Sequence, residues 1–210
     1  ISQAVVRDFG DRTMVPEEIR QLDENLSDQY LCNFSVFQSL IDHWALKQLF
    51  PIVPLQGLER PPEREARLVD ITCDSDGQVD HFIDPEAQRD TLPLHLPTSV
   101  GGGPYHLGFF LMGAYQDIMG DMHNLFGRVN EVHVFLDPDE ENGYYIEEVI
   151  EGTSIASVLD MVQYDKKALV RSVKKQIDSA IQDDRLKPSE GMRLLAEYSN
   201  GLRDQTYLSF

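Results

Sequence analysis

Apolar residues recur at helical spacing through the first fifty positions of the chain. After Pro16, a residue favoured in the first turn of a helix, Ile19, Leu22 and Leu26 lie three or four residues apart. Residues 31–50 continue with apolar side chains on one helical face, namely Phe34, Phe37, Leu40, Ile41 and Trp44. The pattern predicts a helical segment over residues 1–50.

The pattern changes after residue 50, where proline and glycine interrupt short apolar runs. These runs are 52–53, 67–73, 79–83, 91–96, 107–115, 131–136 and 144–150. Within 131–136, apolar and other residues alternate, which predicts a half-buried strand. Asp76-Gly77 and Asn142-Gly143 are typical hairpin turns. Short strands with regular turns indicate an antiparallel barrel or sandwich, and we expect a β-barrel domain over residues 51–152.

Residues 153–210 return to helical spacing. Thr153 or Ser154, Asp165 and Ser189 are candidate caps for three successive helices. Each cap precedes apolar residues on one face: Ile155, Val158, Leu159 and Val162; Leu169, Val173 and Ile177; Leu194, Leu195 and Tyr198. The predicted fold is mainly β with α: an antiparallel barrel flanked by an N-terminal helical segment and a C-terminal helical domain.

Charge excludes one class of partner. The 36 acidic residues outnumber the 18 basic ones, which gives a net charge of −18. Nucleic acids need basic surfaces, so we expect no nucleic-acid partner. The acidity suits a cationic ligand weakly, through long-range attraction, and a solvated acidic surface is the favoured explanation.

Two sequence features bear on the compartment. No apolar run is long enough to cross a bilayer and no signal peptide is visible, so we expect no membrane contact. The two cysteines, Cys32 and Cys73, form neither a CxxC pair nor a zinc motif with histidines. This usage fits a reducing compartment, and we expect a cytoplasmic protein, with the periplasm left open.

The run of residues 70–77 is the first candidate site. If 67–73 is a strand, Cys73 shares a face with Val69 and Ile71, and Asp74 lies where the strand enters the turn. A thiol there can deliver a proton, and a carboxylate can pair with a guanidinium or ammonium group. The alternative is an Asp-rich hairpin turn beside an inert buried cysteine.

A second candidate lies in residues 107–115. Gly113-Ala114 allows close approach of the backbone, and the Tyr115 hydroxyl can bond a phosphate oxygen. A core strand that ends in a packed tyrosine is the alternative. His123, near a turn, is a weaker candidate, and neither it nor any other histidine belongs to a recognisable set of metal ligands.

Four stretches together resemble the biosynthetic arginine decarboxylases, within a group of pyridoxal-phosphate enzymes that includes ornithine and diaminopimelate decarboxylases. These stretches are residues 30–40, 50–55, 70–77 and 107–127. Cys73-Asp74 and Gly113-Ala114-Tyr115 are shared across that group. The continuation through Ser75-Asp76-Gly77 and the stretch 122–127 look specific to arginine decarboxylases. The resemblance implies an alanine-racemase-like C-terminal barrel.

The resemblance also implies site roles. Cys73 would face the cofactor of the partner subunit and protonate the substrate carbon after carbon dioxide leaves. Asp74 would hold the distal cationic end of the substrate, and Tyr115 would bond the phosphate of pyridoxal 5′-phosphate. Asp76 and His123 lie close to these motifs without a firm role. Magnesium is associated with the family, although the sequence offers no metal constellation.

The lysine that carries the cofactor in this family belongs to an upstream (β/α)₈ barrel. The chain has no lysine between Lys47 and Lys166, where the motifs lie. We therefore expect a C-terminal fragment or product that is inactive alone and needs the barrel part in a homo-oligomer, a dimer or tetramer. The expected reaction is L-arginine to agmatine and carbon dioxide, in polyamine biosynthesis. Alternatives are a non-catalytic partner or regulatory domain and a sister decarboxylase for another basic amino acid.

Overall fold

The computed structural model describes residues 26–84 and 88–209. Two compact units emerge, one extending to Asp121 and the other spanning Met122–Ser209. The predicted division at residues 50 and 152 stays a prediction. The expected helix after Pro16 lies almost entirely outside the described residues. Across the part described, none of the helices combines the length and apolarity that a bilayer crossing requires.

Short strands dominate the first unit. They are β1 (Asp28–Leu31), β2 (Ile52–Pro54), β3 (Arg64–Val69), β4 (Gln78–Val79), β5 (Phe82–Ile83), β6 (Gln88–Arg89), β7 (Leu92–Leu94) and β8 (Leu107–Phe109). Strand β3 is central, since it pairs with β1 in parallel and with β4 and β7 in antiparallel orientation. Two separate antiparallel ribbons join β2 to β8 and β5 to β6.

This arrangement does not confirm the predicted β-barrel. The described strands fall into separate sheets that do not close on themselves, and the β1–β3 pair is parallel. Strands of two residues, such as β4 and β5, offer too few ladder hydrogen bonds to extend a sheet around a barrel. The unit is a mixed α/β domain.

The helical pattern predicted over residues 31–50 is matched only in part. Leu31 ends β1, and two short helices follow, α1 (Val36–Ser39) and α2 (Ile41–Leu46). The Ser35 hydroxyl caps α1, while the extended φ of −141° at Leu40 separates the two helices. Upstream of α1, the alternate residues Tyr30, Cys32 and Phe34 pack against the core, so the period there is two.

The core of this unit forms around β3. Ala66 and Leu68 are fully buried on one face of that strand. Other fully or nearly fully buried residues complete the cluster, namely Val36, Leu40, Phe50, Ile52, Val79, Phe82 and Leu94. Burial of these apolar side chains stabilises the unit and fixes the loops that leave β3.

The predicted strand over residues 107–115 is also shorter in the structure. Strand β8 ends at Phe109, and Leu111 adopts a left-handed φ of 57° that turns the chain away. Tyr115 then begins a third short helix, α3 (Tyr115–Ile118). The apolar run therefore contains a strand, a turn and a helix start.

The second unit matches the sequence pattern more closely. After a 3₁₀ turn at His123–Leu125, strands β9 (Glu131–Leu136) and β10 (Tyr144–Ile150) form an antiparallel hairpin. The Asn142-Gly143 turn is confirmed, with a φ of 73° at the glycine. The predicted half-burial is wrong, because the side chains of both strands are almost all exposed.

Three helices follow the hairpin, as predicted: α4 (Ile155–Met161), α5 (Lys166–Gln182) and α6 (Pro188–Gly201). Ser154 and Asp165 cap the first two through their side chains, which confirms both assignments. The third cap is Lys187 rather than Ser189, because Pro188 occupies the first helical turn.

Candidate active site

A buried carboxylate organises the loop of residues 70–77 between β3 and β4. Asp70 is 4% exposed. Its Oδ2 accepts a hydrogen bond from the Val36 amide at 2.8 Å. Its Oδ1 accepts from the Thr72 amide at 2.8 Å and from the Thr72 hydroxyl at 2.7 Å. These three bonds fix the start of the loop against α1.

Gly77 closes the same loop. Its carbonyl accepts from the Asp70 amide at 2.8 Å, and its own amide donates to the Asp74 carbonyl at 3.0 Å. A Cβ atom at this position would lie 2.2 Å from Asp70 Oδ1 and 2.6 Å from Thr72 Oγ1. Only glycine fits, and the predicted hairpin turn at Asp76-Gly77 is confirmed by the β3–β4 pairing.

Cys73 and Asp74 lie on this loop and not on a strand. Strand β3 ends at Val69, so the predicted shared face with Val69 and Ile71 is wrong. The physical reason is Asp70, whose carboxylate draws the following backbone into a turn. Cys73 is exposed, which contradicts the alternative of a buried, inert cysteine.

Asp74 is half-buried within the turn. Its amide donates to Thr72 Oγ1 at 3.4 Å, and its Oδ1 accepts from the Asp76 amide at 2.9 Å. These bonds restrict the Asp74 side chain and backbone together. The carboxylate is thus oriented by the turn, as a group that binds a cation needs to be.

The loop is attached to the helix pair formed by α1 and α2. Beside the bond from Val36 to Asp70, the Ile71 amide donates to the Phe34 carbonyl at 3.2 Å. Trp44 of α2 donates its indole Nε1–H to Asp76 Oδ2 at 3.3 Å. The helix pair therefore contacts the loop at both of its ends.

The same helix pair also holds α3, the helix that begins at Tyr115. The Asp42 amide donates to Gln116 Oε1 at 3.2 Å, and Gln116 Nε2 donates to Asp42 Oδ2 at 2.6 Å. The Asp121 amide donates to the Phe37 carbonyl at 2.9 Å. The segments that carry Cys73 and Tyr115 thus share one support.

Tyr115 projects from this support into solvent. Its side chain is 70% exposed, which contradicts the alternative of a tyrosine packed at the end of a core strand. An exposed phenol can donate a hydrogen bond to an incoming anion. Cys73, Asp74 and Tyr115 all belong to the first unit, whereas His123 belongs to the second.

Two supporting residues escaped the sequence reasoning. Asp70 carried a usable signal, because an Asp followed two residues later by Thr is typical of a side-chain-capped turn. Gln116 carried none, since its partner Asp42 is 74 positions away. Among the residues described, no three His, Cys, Asp or Glu side chains are grouped so as to hold a metal ion.

The first unit also contains a large apolar cavity of about 860 Å³. Aromatic and apolar side chains form most of its wall, including Tyr30, Phe34, Tyr105, Phe109 and Met112. None of its lining residues is Asp, Glu, Lys or Arg. The described lining thus offers no carboxylate to a cationic ligand, unlike the loop of residues 70–77 with Asp74.

The two thiols should differ in reactivity. Burial raises the pKa of the Cys32 thiol to about 11, and the Asp70 carboxylate adds to this effect. Because the thiolate is the reactive form, iodoacetamide at pH 8 should label exposed Cys73 while Cys32 stays largely unmodified. Between pH 7 and 9, Cys32 labelling should rise about tenfold per unit. Mass spectrometry of tryptic peptides measures both sites, with urea-unfolded protein as the control. Equal labelling of both cysteines in the folded chain at pH 8 would contradict the assignment.

Comparison with known proteins first defines a class. Residues 155–208 match the family described as the arginine decarboxylase C-terminal helical extension. This match covers helices α4, α5 and α6, so the second unit contains a recognised extension of arginine decarboxylases.

The rest of the chain agrees with this class. It is 48% identical to the biosynthetic arginine decarboxylase of Phocaeicola vulgatus, covering 92% of the chain and 30% of that protein. It is 45% identical to that of Bacteroides thetaiotaomicron, covering 99% of the chain and 32% of that protein. The chain belongs to the biosynthetic arginine decarboxylase family and matches its C-terminal part.

A solved structure of a protein from this family is also similar to the chain. The biosynthetic arginine decarboxylase SpeA from Campylobacter jejuni is 33% identical, with a TM-score of 0.73. The match covers 99% of this chain and 35% of that chain. The chain thus spans about a third of the length of the relatives it matches.

Proposed function

We propose that this chain supplies part of the active site of a pyridoxal-phosphate-dependent enzyme that converts L-arginine to agmatine and carbon dioxide. The observation that carries the proposal is the loop of residues 70–77. It presents an exposed thiol at Cys73 and an oriented carboxylate at Asp74, on the support that also carries Tyr115. The names of the relatives support arginine as the substrate.

Each of the first two residues has a defined task in this proposal. The Cys73 thiol donates a proton to the substrate carbon from which carbon dioxide has left. The Asp74 carboxylate accepts charge-assisted hydrogen bonds from the guanidinium group and so orients the substrate for loss of its carboxylate. The net charge of −18 favours approach of a cationic substrate.

Pyridoxal phosphate, when bound, supplies an electron sink for the electrons released by decarboxylation. The exposed Tyr115 hydroxyl fits a role as hydrogen-bond donor to its phosphate. The chain has no lysine between Lys47 and Lys166, the stretch of sequence that contains Cys73, Asp74 and Tyr115. This chain therefore fits a contributing role.

We propose that an N-terminal (β/α)₈ barrel part holds the cofactor, because the relatives are about three times as long as the chain. In the proposed assembly Cys73 serves the site of a second subunit, which requires a homo-oligomer, and the chain alone is inactive. We assign no residue of this chain to a magnesium ion.

The test is a substrate panel on the complete protein that contains this chain. Arginine, ornithine, lysine and diaminopimelate are compared by carbon dioxide release, and arginine should be decarboxylated with the highest kcat/KM.

Asp74→Ala should raise the KM for arginine by about 10- to 100-fold, because charge-assisted hydrogen bonds to the guanidinium are lost. Steady-state kinetics measures this change.

The matched control is Glu59→Ala, which removes one exposed negative charge from the same unit without touching the loop. It should leave the KM within about twofold of wild type, as expected for an exposed charge. If Asp74→Ala leaves the KM for arginine unchanged, Asp74 does not bind the substrate. Preference for ornithine, lysine or diaminopimelate would overturn the choice of arginine.

A further inference from the structure

The segment 122–127 contains a strained turn. Asn124 and Leu125 are consecutive non-glycine residues with left-handed φ values of 53° and 66°. Such a conformation is disfavoured for leucine and persists only where surrounding contacts impose it. Contacts from neighbouring residues must therefore hold this turn in place.

Those contacts come from the end of the chain. The Gly127 amide donates to Thr206 Oγ1 at 2.9 Å, and the Gly127 carbonyl accepts from the Tyr207 hydroxyl at 2.8 Å. The rings of Phe126 and Tyr207 lie 5.4 Å apart at 30°. Two successive residues of the tail thus bind both polar backbone groups of Gly127.

Gly127 is also enclosed on a third side. It is buried, and a Cβ atom there would lie 2.4 Å from the Cβ of Thr153. The Arg128 amide donates to Thr153 Oγ1 at 3.0 Å, and the Thr153 amide donates to the Arg128 carbonyl at 2.9 Å. The turn is therefore held between the tail and the residues that precede α4.

The tail itself is fixed. The Ile155 and Ala156 amides, at the start of α4, donate to the carbonyls of Asp204 at 2.9 Å and Leu202 at 2.8 Å. Gln205 forms an antiparallel bridge with Ser154 and donates to the Asn130 side chain. The segment that follows α6 thus returns to the beginning of the second unit.

We propose that residues 202–207 form a C-terminal clasp that imposes the left-handed turn at Asn124 and Leu125. Thr206 and Tyr207 are its positioning residues, and the helices α5 and α6 serve to return them to Gly127. This gives the helical extension a task inside its own unit: it sets the backbone of segment 122–127. The inference does not depend on the proposed reaction, so either can fail without the other.

Hydrogen exchange in the 210-residue chain tests the clasp. Tyr207→Phe keeps the ring against Phe126 and removes only the hydroxyl, and Thr206→Val removes the acceptor for the Gly127 amide. Each should accelerate exchange of the Phe126 and Gly127 amides by about tenfold, the effect of one lost hydrogen bond. Amide-resolved NMR measures the rates.

Matched variants separate a clasp from general loosening. Tyr164→Phe deletes an exposed hydroxyl of the same unit and should leave these rates unchanged, whereas Thr206→Ser retains the acceptor and should restore wild-type protection. Unchanged rates at Phe126 and Gly127 in both clasp variants would overturn the proposal. So would acceleration of equal size throughout α5 and α6, since that reports unfolding of the whole unit.

Discussion

Cys73→Ala in the complete protein is expected to lower agmatine formation by about 10²- to 10⁴-fold, the usual contribution of a positioned proton donor. The exposed thiol is the proposed source of the proton that replaces carbon dioxide on the substrate carbon. Without the thiol, another group or water must protonate that carbon, so protonation becomes slower or occurs at a different atom. Parallel measurements of carbon dioxide and agmatine distinguish slow decarboxylation from incorrect protonation.

The matched control for this substitution is Cys32→Ala. Cys32 is the other cysteine of the chain, and it lines the apolar cavity and not the loop of residues 70–77. Its replacement should retain agmatine formation within a few-fold of wild type, with a stability loss of about 1 kcal/mol. Agmatine formation at the wild-type rate in the Cys73 variant would remove Cys73 from the proposed mechanism.

Asp70→Ala is expected to destabilise the chain by about 3–5 kcal/mol, which is a large share of the stability of an ordinary domain. The buried amide of Val36 and the amide of Thr72 would lose their acceptor, at a cost of about 1–3 kcal/mol for each unsatisfied donor. The carboxylate also leaves a void between the loop and α1. Urea unfolding followed by circular dichroism measures the free energy of unfolding.

Asp70→Asn provides the graded control. The amide oxygen can still accept from one donor group, but the amide nitrogen cannot accept from the other. Its stability should therefore lie between those of wild type and Asp70→Ala. If Asp70→Ala unfolds at the wild-type urea concentration, the three hydrogen bonds do not organise the loop, and the orientation of Asp74 needs another explanation.

Local signals made the second unit predictable. Ser154 and Asp165 cap helices through their own side chains, and Asn142-Gly143 sets a hairpin whose strands are adjacent in the chain. Each of these features is decided by residues within a few positions of one another. The exposure of the hairpin differs from the sequence prediction. Whether a strand is buried depends on what packs against it, and the alternation of its own residues does not record this.

The first unit was harder to predict because two periods overlap in its sequence. Phe34, Phe37, Leu40 and Ile41 fit a helix, but Tyr30, Cys32 and Phe34 also fit a strand. Residues 28–31 form a strand because they pair with β3, which lies more than thirty positions further along the chain. No local pattern records such a pairing, and the same holds for the arrangement of the described sheets, which does not confirm the expected barrel.

The residues of the candidate site were also only partly predictable from the sequence. Cys73, Asp74 and Tyr115 were predicted because their motifs resemble those of a known family. The residues that hold them were missed, since Asp70 acts through Val36 and Gln116 acts through Asp42. A resemblance identifies groups that meet a ligand, whereas long-range hydrogen bonds that orient those groups have to be read from coordinates.

The shared attachment of two motif segments to α1 and α2 has a consequence for engineering. A substitution at Asp42 removes a hydrogen bond to Gln116, the neighbour of Tyr115, and a substitution at Trp44 removes the bond to Asp76 in the loop of residues 70–77. Under the roles proposed for Asp74 and Tyr115, changes to this helix pair are expected to alter substrate preference and coenzyme affinity together. Libraries meant to redirect specificity should keep residues 35–46 constant and diversify Ser75 instead.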